Sequence, residues 1–251
     1  MAVSKYGDGK VTDLSDWGRP IARKIAKKLK STPISVIQVT NLHLILSVFC
    51  SWLIIQGQIV TACALLIVKG VIDAVDGELA RMRERPSHVG RYWDTVADTI
   101  GLVAVMCAFG SLFEWGALLT TALILATLIQ YSLFNHYSII LRSRSSGDST
   151  SRMDETIKPT AYPWERQSTV NFFHMIYLVF FSWQDRIIAF LAGKGSNSLA
   201  FELTVSSTLG FGLQSLIIMV MAITNQLIYL PELILGVNFV LMAIVLLRSH
   251  L

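Results

Sequence analysis

Residues 73–98 read DAVDGELARMRERPSHVGRYWDTVAD. Asp73 and Asp76 stand three apart, and Asp94 and Asp98 stand four apart. On helices, both spacings put a pair on one face. Between the pairs, Arg81, Arg83, Glu84, Arg85 and Pro86 form a polar break that ends one helix before another begins. A helical hairpin at this point gathers all four carboxylates at one end. The flanks decide what kind of hairpin it is. Residues 61–72 (TACALLIVKGVI) precede the first pair and residues 99–110 (TIGLVAVMCAFG) follow the last. Both runs are apolar enough to continue into a membrane.

The rest of the chain agrees. It has 251 residues, 53% hydrophobic and 15% charged, with a mean hydropathy of +0.55. A soluble domain carries about 25% charged residues, so the composition argues against one. Six blocks, near 39–56, 59–80, 90–112, 115–141, 202–224 and 228–247, approach the length needed to cross about 30 Å of hydrocarbon. The expected fold is an all-α integral membrane bundle of six transmembrane helices, one domain over 1–251. Its parts are an amphipathic helix at 14–30, four spans over 39–141, a loop and interfacial segment over 142–201, and two spans over 202–247.

In 14–30, Leu14, Trp17, Ile21, Ile25 and Leu29 recur at helical spacing among Arg23, Lys24, Lys27, Lys28 and Lys30. Such a helix suits the surface of an anionic membrane. Residues 170–192 hold an apolar run broken by Gln184, Asp185 and Arg186. Charges at mid-membrane cost roughly 2.5–3.5 kcal/mol each, so this stretch is expected to lie in-plane or re-enter, with Asp185 and Arg186 paired at the surface. The polar loop 142–168 is expected to be partly mobile. With six spans, 20 of the 21 Lys and Arg residues fall on one side, Lys69 being the exception inside a span. The positive-inside rule makes that side, with both termini, cytoplasmic, in a cell (inner) membrane or an endoplasmic reticulum membrane. The N-terminus shows no signal peptide. Cys50, Cys63 and Cys107 each sit in an apolar block and read as small buried residues.

Four carboxylates near a membrane repel one another and resist desolvation. A compensating charge is therefore expected. A cluster of oxygen ligands read as having no nearby His or Cys suits a hard cation such as Mg²⁺ or Mn²⁺. A divalent ion in turn suits phosphate chemistry. Gly77 and Gly90 permit close approach of a ligand or helix, and the planar fork of Arg81 suits a phosphate. The plainer alternative is a set of helix-end aspartates paired with arginines. It explains each residue singly but not the whole set.

The order DxxDGxxAR, eight residues, then GxxxDxxxD resembles the signature of the CDP-alcohol phosphotransferases, through Asp73, Asp76, Gly77, Ala80, Arg81, Gly90, Asp94 and Asp98. The resemblance implies an enzyme that splits a CDP-linked donor, releases CMP and joins the substituted phosphate to an alcohol acceptor in phospholipid synthesis. It implies metal ligation by Asp73, Asp76, Asp94 and Asp98, with Asp98 also taking the acceptor's proton. Asp73, Gly77, Ala80 and Arg81 would border the CDP, and the protein would be a homodimer. Many members open their first span with Pro-Asn before Val-Thr. Here Val36-Ile37-Gln38-Val39-Thr40 keeps Thr40, a candidate hydroxyl for the nucleotide site, without the Pro-Asn.

The acceptor is less legible. Lys69, four residues before Asp73 on the same helical face, would pair with Asp73 or meet a phosphate. Arg142 and Arg144 would bind an acceptor phosphate or anchor their span to headgroups. His136 reads as a hydrogen-bonded core residue. Serine, glycerol phosphate, inositol phosphate, a second lipid and diacylglycerol remain open as acceptors. CDP-diacylglycerol is favoured as donor, with soluble CDP-choline or CDP-ethanolamine acting on diacylglycerol as the alternative. Membrane lipids are expected partners and nucleic acid is not. Two other classes fit less well. A membrane prenyltransferase would need a second Asp-rich motif, and a divalent-metal transporter would need polar residues continuing across the bilayer.

Overall fold

The computed structural model describes residues 11–144, 155–192 and 199–249, and these form helices and turns without strands. The N-terminal segment differs from expectation. A 3-10 turn covers Leu14–Asp16, and helix α1 begins only at Arg19 (Arg19–Leu29). Pro20 is the reason: it lacks an N–H and fits the first turn of a helix, not its interior. The face of α1 that docks also differs. Ala22 and Ala26 are fully buried among Val71, Val75 and Leu79, whereas Ile21 and Ile25 stay exposed. Small side chains let the helices approach, and the bulky ones are left for lipid.

Helix α2 (Val36–Ile55) starts with a capping box, Gln38 N–H donating to Ser35 Oγ and Ser35 N–H to Gln38 Oε1. These residues fix the entry of the span that lacks Pro-Asn. Helix α3 (Ile59–Met82) and helix α4 (His88–Leu112) form the hairpin, and Ser87 Oγ accepts from Gly90 N–H to start α4. The guanidinium of Arg83, just past α3, donates to the carbonyls of Leu29, Lys30, Thr32 and Ile34. It ties the α1–α2 link to the hairpin. Helix α5 (Gly116–Arg144) returns alongside α4.

Among the described residues, four helices are long and apolar enough to cross a membrane: α2, α4, α5 and the last helix, α10 (Leu227–Ser249). Helix α8 (Leu199–Ser206) and helix α9 (Phe211–Ile223) meet at 44° and qualify together. Every 18-residue window of α3 contains Lys69, Asp73 and Asp76, so its charges, not a lack of apolar residues, keep the helix at the heart of the bundle out of this set. Apolar side chains line the outside, with Leu118 87% and Phe190 86% exposed. Water would penalise such a surface; acyl chains would not. Cys107 also lies exposed on it, unlike the buried Cys50 and Cys63.

Residues 170–192 fall in helices α6 (Gln167–Phe180) and α7 (Ser182–Ala192), which meet at 56°. Helix α6 packs on α4 near Tyr92 and Val96. Helix α7 packs on α5 between Ser132 and Ile140. These contacts lie at the motif end of α4 and α5, as a re-entrant pair requires. Asp185 does not pair with Arg186. It accepts from Tyr177 Oη at 2.5 Å while Arg186 is exposed, because neighbours in a helix point apart.

The loop before α6 is more fixed than expected. Glu155 receives both Arg91 Nη1 and Nη2, at 2.5 and 2.8 Å, and Tyr92 Oη. Glu165 accepts from Ser87 Oγ and the Val89 N–H. Trp164 Nε1 donates to the Pro86 carbonyl. Residues 155–165 thus strap the α3–α4 turn; 145–154 lie outside the described residues.

Candidate active site

The four aspartates converge because one close approach and one hairpin hold three helices together. On α4, a Cβ at Gly101 would come within 2.8 Å of Ser47 Oγ on α2. This contact sets α2 against α4 just beyond Asp98. The α3–α4 hairpin supplies the other side. Asp73, Asp76, Asp94 and Asp98 all line one cavity of about 300 Å³, with Lys69, Gly77 and Arg81. The cavity continues between α4, α5 and α9 past Leu102, Val105, Met106 and Ile218. One end is charged; the continuation is mainly apolar, with Thr127, Gln130, Gln214 and Asn238 also in its wall.

His43 of α2 stands in the middle of the carboxylates and was missed from the sequence. Its Nε2 lies 3.6 Å from Asp73 Oδ1, 3.7 Å from Asp76 Oδ2 and 3.4 Å from Asp94 Oδ1, and its Nδ1 lies 3.9 Å from Asp98 Oδ1. The expectation of a site without histidine nearby is corrected: the pattern within 73–98 says nothing of what a third helix adds. Thr40 and His43 are three apart on one helix face, so assigning Thr40 to the site implied a place for His43 too. Thr40 is not in the cavity wall. It donates to Asp76 Oδ2 at 2.8 Å from behind.

Lys69 donates to Asp98 Oδ1 at 2.5 Å and lines the cavity. The sequence suggested Asp73 as its partner. The Lys69 ammonium instead reaches across the hairpin to α4 rather than along its own helix. Among the described residues nothing donates to Asp98 Oδ2.

At the cavity edge, Glu78 is 2% exposed and draws three guanidinium groups. Arg19 Nη1 donates at 2.5 Å, Arg23 Nε at 3.3 Å and Arg81 Nη2 at 3.0 Å. Burial lowers the pKa of Arg19, but Asp16 and Glu78 outweigh it and raise it above the ordinary value. Arg81 folds back over Gly77, where a Cβ would sit 3.3 Å from its Nη2. Ala80, Arg142 and Arg144 are not among the residues lining the cavity.

The donor set fits a metal ion. One atom each from His43, Asp73, Asp76 and Asp94 can be chosen so that all lie within 4.8 Å of one another. Asp94 Oδ1 is buried with no hydrogen-bond partner, as a ligand atom waiting for a cation would be. Residues 35–249 match the family model for CDP-alcohol phosphatidyltransferase. The chain belongs to the CDP-alcohol phosphatidyltransferase family. The match begins at the Ser35 cap of α2 and runs to the end of α10, so it takes in every aspartate of the site. A comparison with curated proteins finds no match. As a family member the chain is a transferase that moves a substituted phosphate from a CDP-alcohol to an acceptor alcohol, and its apolar helices are those of an integral membrane protein.

Proposed function

We propose that this CDP-alcohol phosphatidyltransferase transfers the phosphatidyl group of CDP-diacylglycerol to an alcohol, releasing CMP, with Mg²⁺ or Mn²⁺ held by Asp73, Asp76, Asp94 and Asp98. The observation that carries the reading is the cavity itself. Its charged end holds the four aspartates, and its mainly apolar continuation suits the chains of a lipid. The basic end of the bundle, which holds the motif, faces the cytoplasm in this reading.

A bound divalent ion would neutralise the pyrophosphate and the departing CMP. The protein's own groups do the rest. Gly77 and Arg81 border the CDP, and Glu78 holds Arg81 in place. Asp76 is oriented by Thr40. Lys69 fixes Asp98 through Oδ1 and leaves Oδ2 as the base. The acceptor oxygen attacks the phosphorus that carries the diacylglycerol, its proton passes to Asp98, and the bond from that phosphorus to the CMP oxygen breaks. Closely held reactants make this a near-unimolecular step.

The test is CMP release by the purified protein in detergent, with and without Mg²⁺ or Mn²⁺. CDP-diacylglycerol is paired with each alcohol of a panel, and CDP-choline or CDP-ethanolamine with diacylglycerol in parallel. Metal-dependent release from CDP-diacylglycerol with one alcohol is expected. Release only from a soluble CDP-alcohol would reverse the donor assignment. Folded protein that neither binds CDP nor releases CMP would overturn the reading.

A further inference from the structure

We propose that His43 Nε2 is a direct ligand of the divalent ion, giving the site a nitrogen donor that favours Mn²⁺ and later first-row ions over Mg²⁺. The inference rests on the metal reading above and adds to it a ligand that lies outside the aspartate motif. His43 is fully buried, and neither ring nitrogen has a hydrogen-bond partner. A buried polar group left unmade is costly, and the ring points at three carboxylate oxygens between 3.4 and 3.7 Å away. An octahedral ion with bonds of about 2.1 Å places neighbouring donors about 3.0 Å apart and opposite donors about 4.2 Å apart. The observed separations lie between these two values, so an adjustment of well under an ångström brings the donors onto an ion.

The other side of the ring fits as well. Nδ1 faces Asp98 Oδ1 at 3.9 Å. A ligating imidazole commonly presents its second N–H to a carboxylate, which fixes the tautomer and raises the basicity of the ligand nitrogen. The backbone that carries the ring is also braced. Ser47 Oγ donates to the His43 carbonyl at 2.9 Å, and Ser47 is pressed against Gly101. Nitrogen donors bind later first-row ions more strongly than they bind Mg²⁺, which prefers oxygen. The competing role is an imidazolium that balances the carboxylates by charge alone.

The experiment uses the tag-free full chain in detergent, loaded with Mn²⁺ and without nucleotide. Pulsed electron paramagnetic resonance reads nitrogen coupled to the bound ion. The expected result is a histidine nitrogen coupling in the wild type that changes isotope pattern on ¹⁵N-histidine labelling and disappears in His43→Asn. Mn²⁺ affinity should fall by about tenfold or more in His43→Asn, and Mg²⁺ affinity by less. Bound Mn²⁺ without nitrogen coupling in the wild type would overturn the proposal and leave the metal reading intact. Coupling that persists in His43→Asn would overturn it too. Monodisperse wild-type protein that binds no Mn²⁺ would overturn both. If His43→Asn does not fold, the ¹⁵N-histidine spectrum of the wild type still decides.

Discussion

Asp98 has Oδ1 engaged by Lys69 and Oδ2 without a donor. Asp98→Asn keeps the size of the side chain and removes its ability to take a proton. Folding and CDP binding should persist while turnover falls by about 10²- to 10⁴-fold, the usual worth of a general base. Near-normal turnover by a folded variant would remove Asp98 from that role. Asp76 differs because it is held by Thr40 and sits deeper in the donor set. For Asp76→Asn, activity should fall and the Mg²⁺ titration of the remainder should shift to higher concentration; an unchanged titration would argue against ligation. The aspartates were legible because a carboxylate in an apolar helix is too costly to be incidental. His43 was not, because a neutral imidazole in a span reads as an ordinary core residue. Lys69 was legible as a site residue, but its partner was not, since helical spacing alone does not say which way a side chain leans.

At the scale of helices, the site depends on how closely α2 and α4 approach. Gly101→Ala would place a methyl group against Ser47 Oγ and Cβ at under 3 Å. Overpacking of this kind costs about 1–3 kcal/mol, and here the relief would be a shift of α4 that pulls Asp94 and Asp98 away from His43. Thermal unfolding in detergent should show the lost stability, and CMP release should fall further than stability does. Normal activity in Gly101→Ala would mean the site does not depend on this contact. The strap over the α3–α4 turn makes a separate prediction. Glu155 is 8% exposed and binds Arg91 through both guanidinium nitrogens. Glu155→Gln leaves a partly buried arginine without its counter-charge, at up to roughly 3 kcal/mol, so the melting temperature should drop clearly; no drop would show that the strap contributes little. The helices themselves were readable from hydropathy and caps. The strap was not, because a polar loop gives no periodic pattern and its anchors, Glu155 and Glu165, find partners far away in sequence. Pro20 did predict where a helix begins, but the repeat of Leu14 and Trp17 with the later apolar residues concealed it.

For the molecule as a whole, the question is how many times the chain crosses the bilayer, and the packing of the turns constrains it. Gly57 and Gln58 after α2, Phe113 after α4, and Asn225 and Leu227 after α9 line a common pocket. They therefore share the end opposite the aspartates. Gly57 takes φ +74° and Asn225 φ +55°, left-handed conformations that close helix ends and turn the chain back sharply. If Gln58 and Asn225 share one side, α6 and α7 together must leave and return on the other, which their 56° bend allows. A full crossing by the α6–α7 pair would instead put Asn225 on the side of Thr32. In protein whose three cysteines are replaced by alanine, single cysteines at Gln58, Asn225 and Thr32 can be labelled in intact cells with a membrane-impermeant maleimide. Gln58→Cys and Asn225→Cys should label from outside, and Thr32→Cys only after the cells are permeabilised, as the distribution of basic residues requires. Labelling of Gln58→Cys but not Asn225→Cys would mean that α6 and α7 cross the membrane. Labelling of Thr32→Cys alone would invert the protein and put the aspartates, with the CDP site, on the outer face.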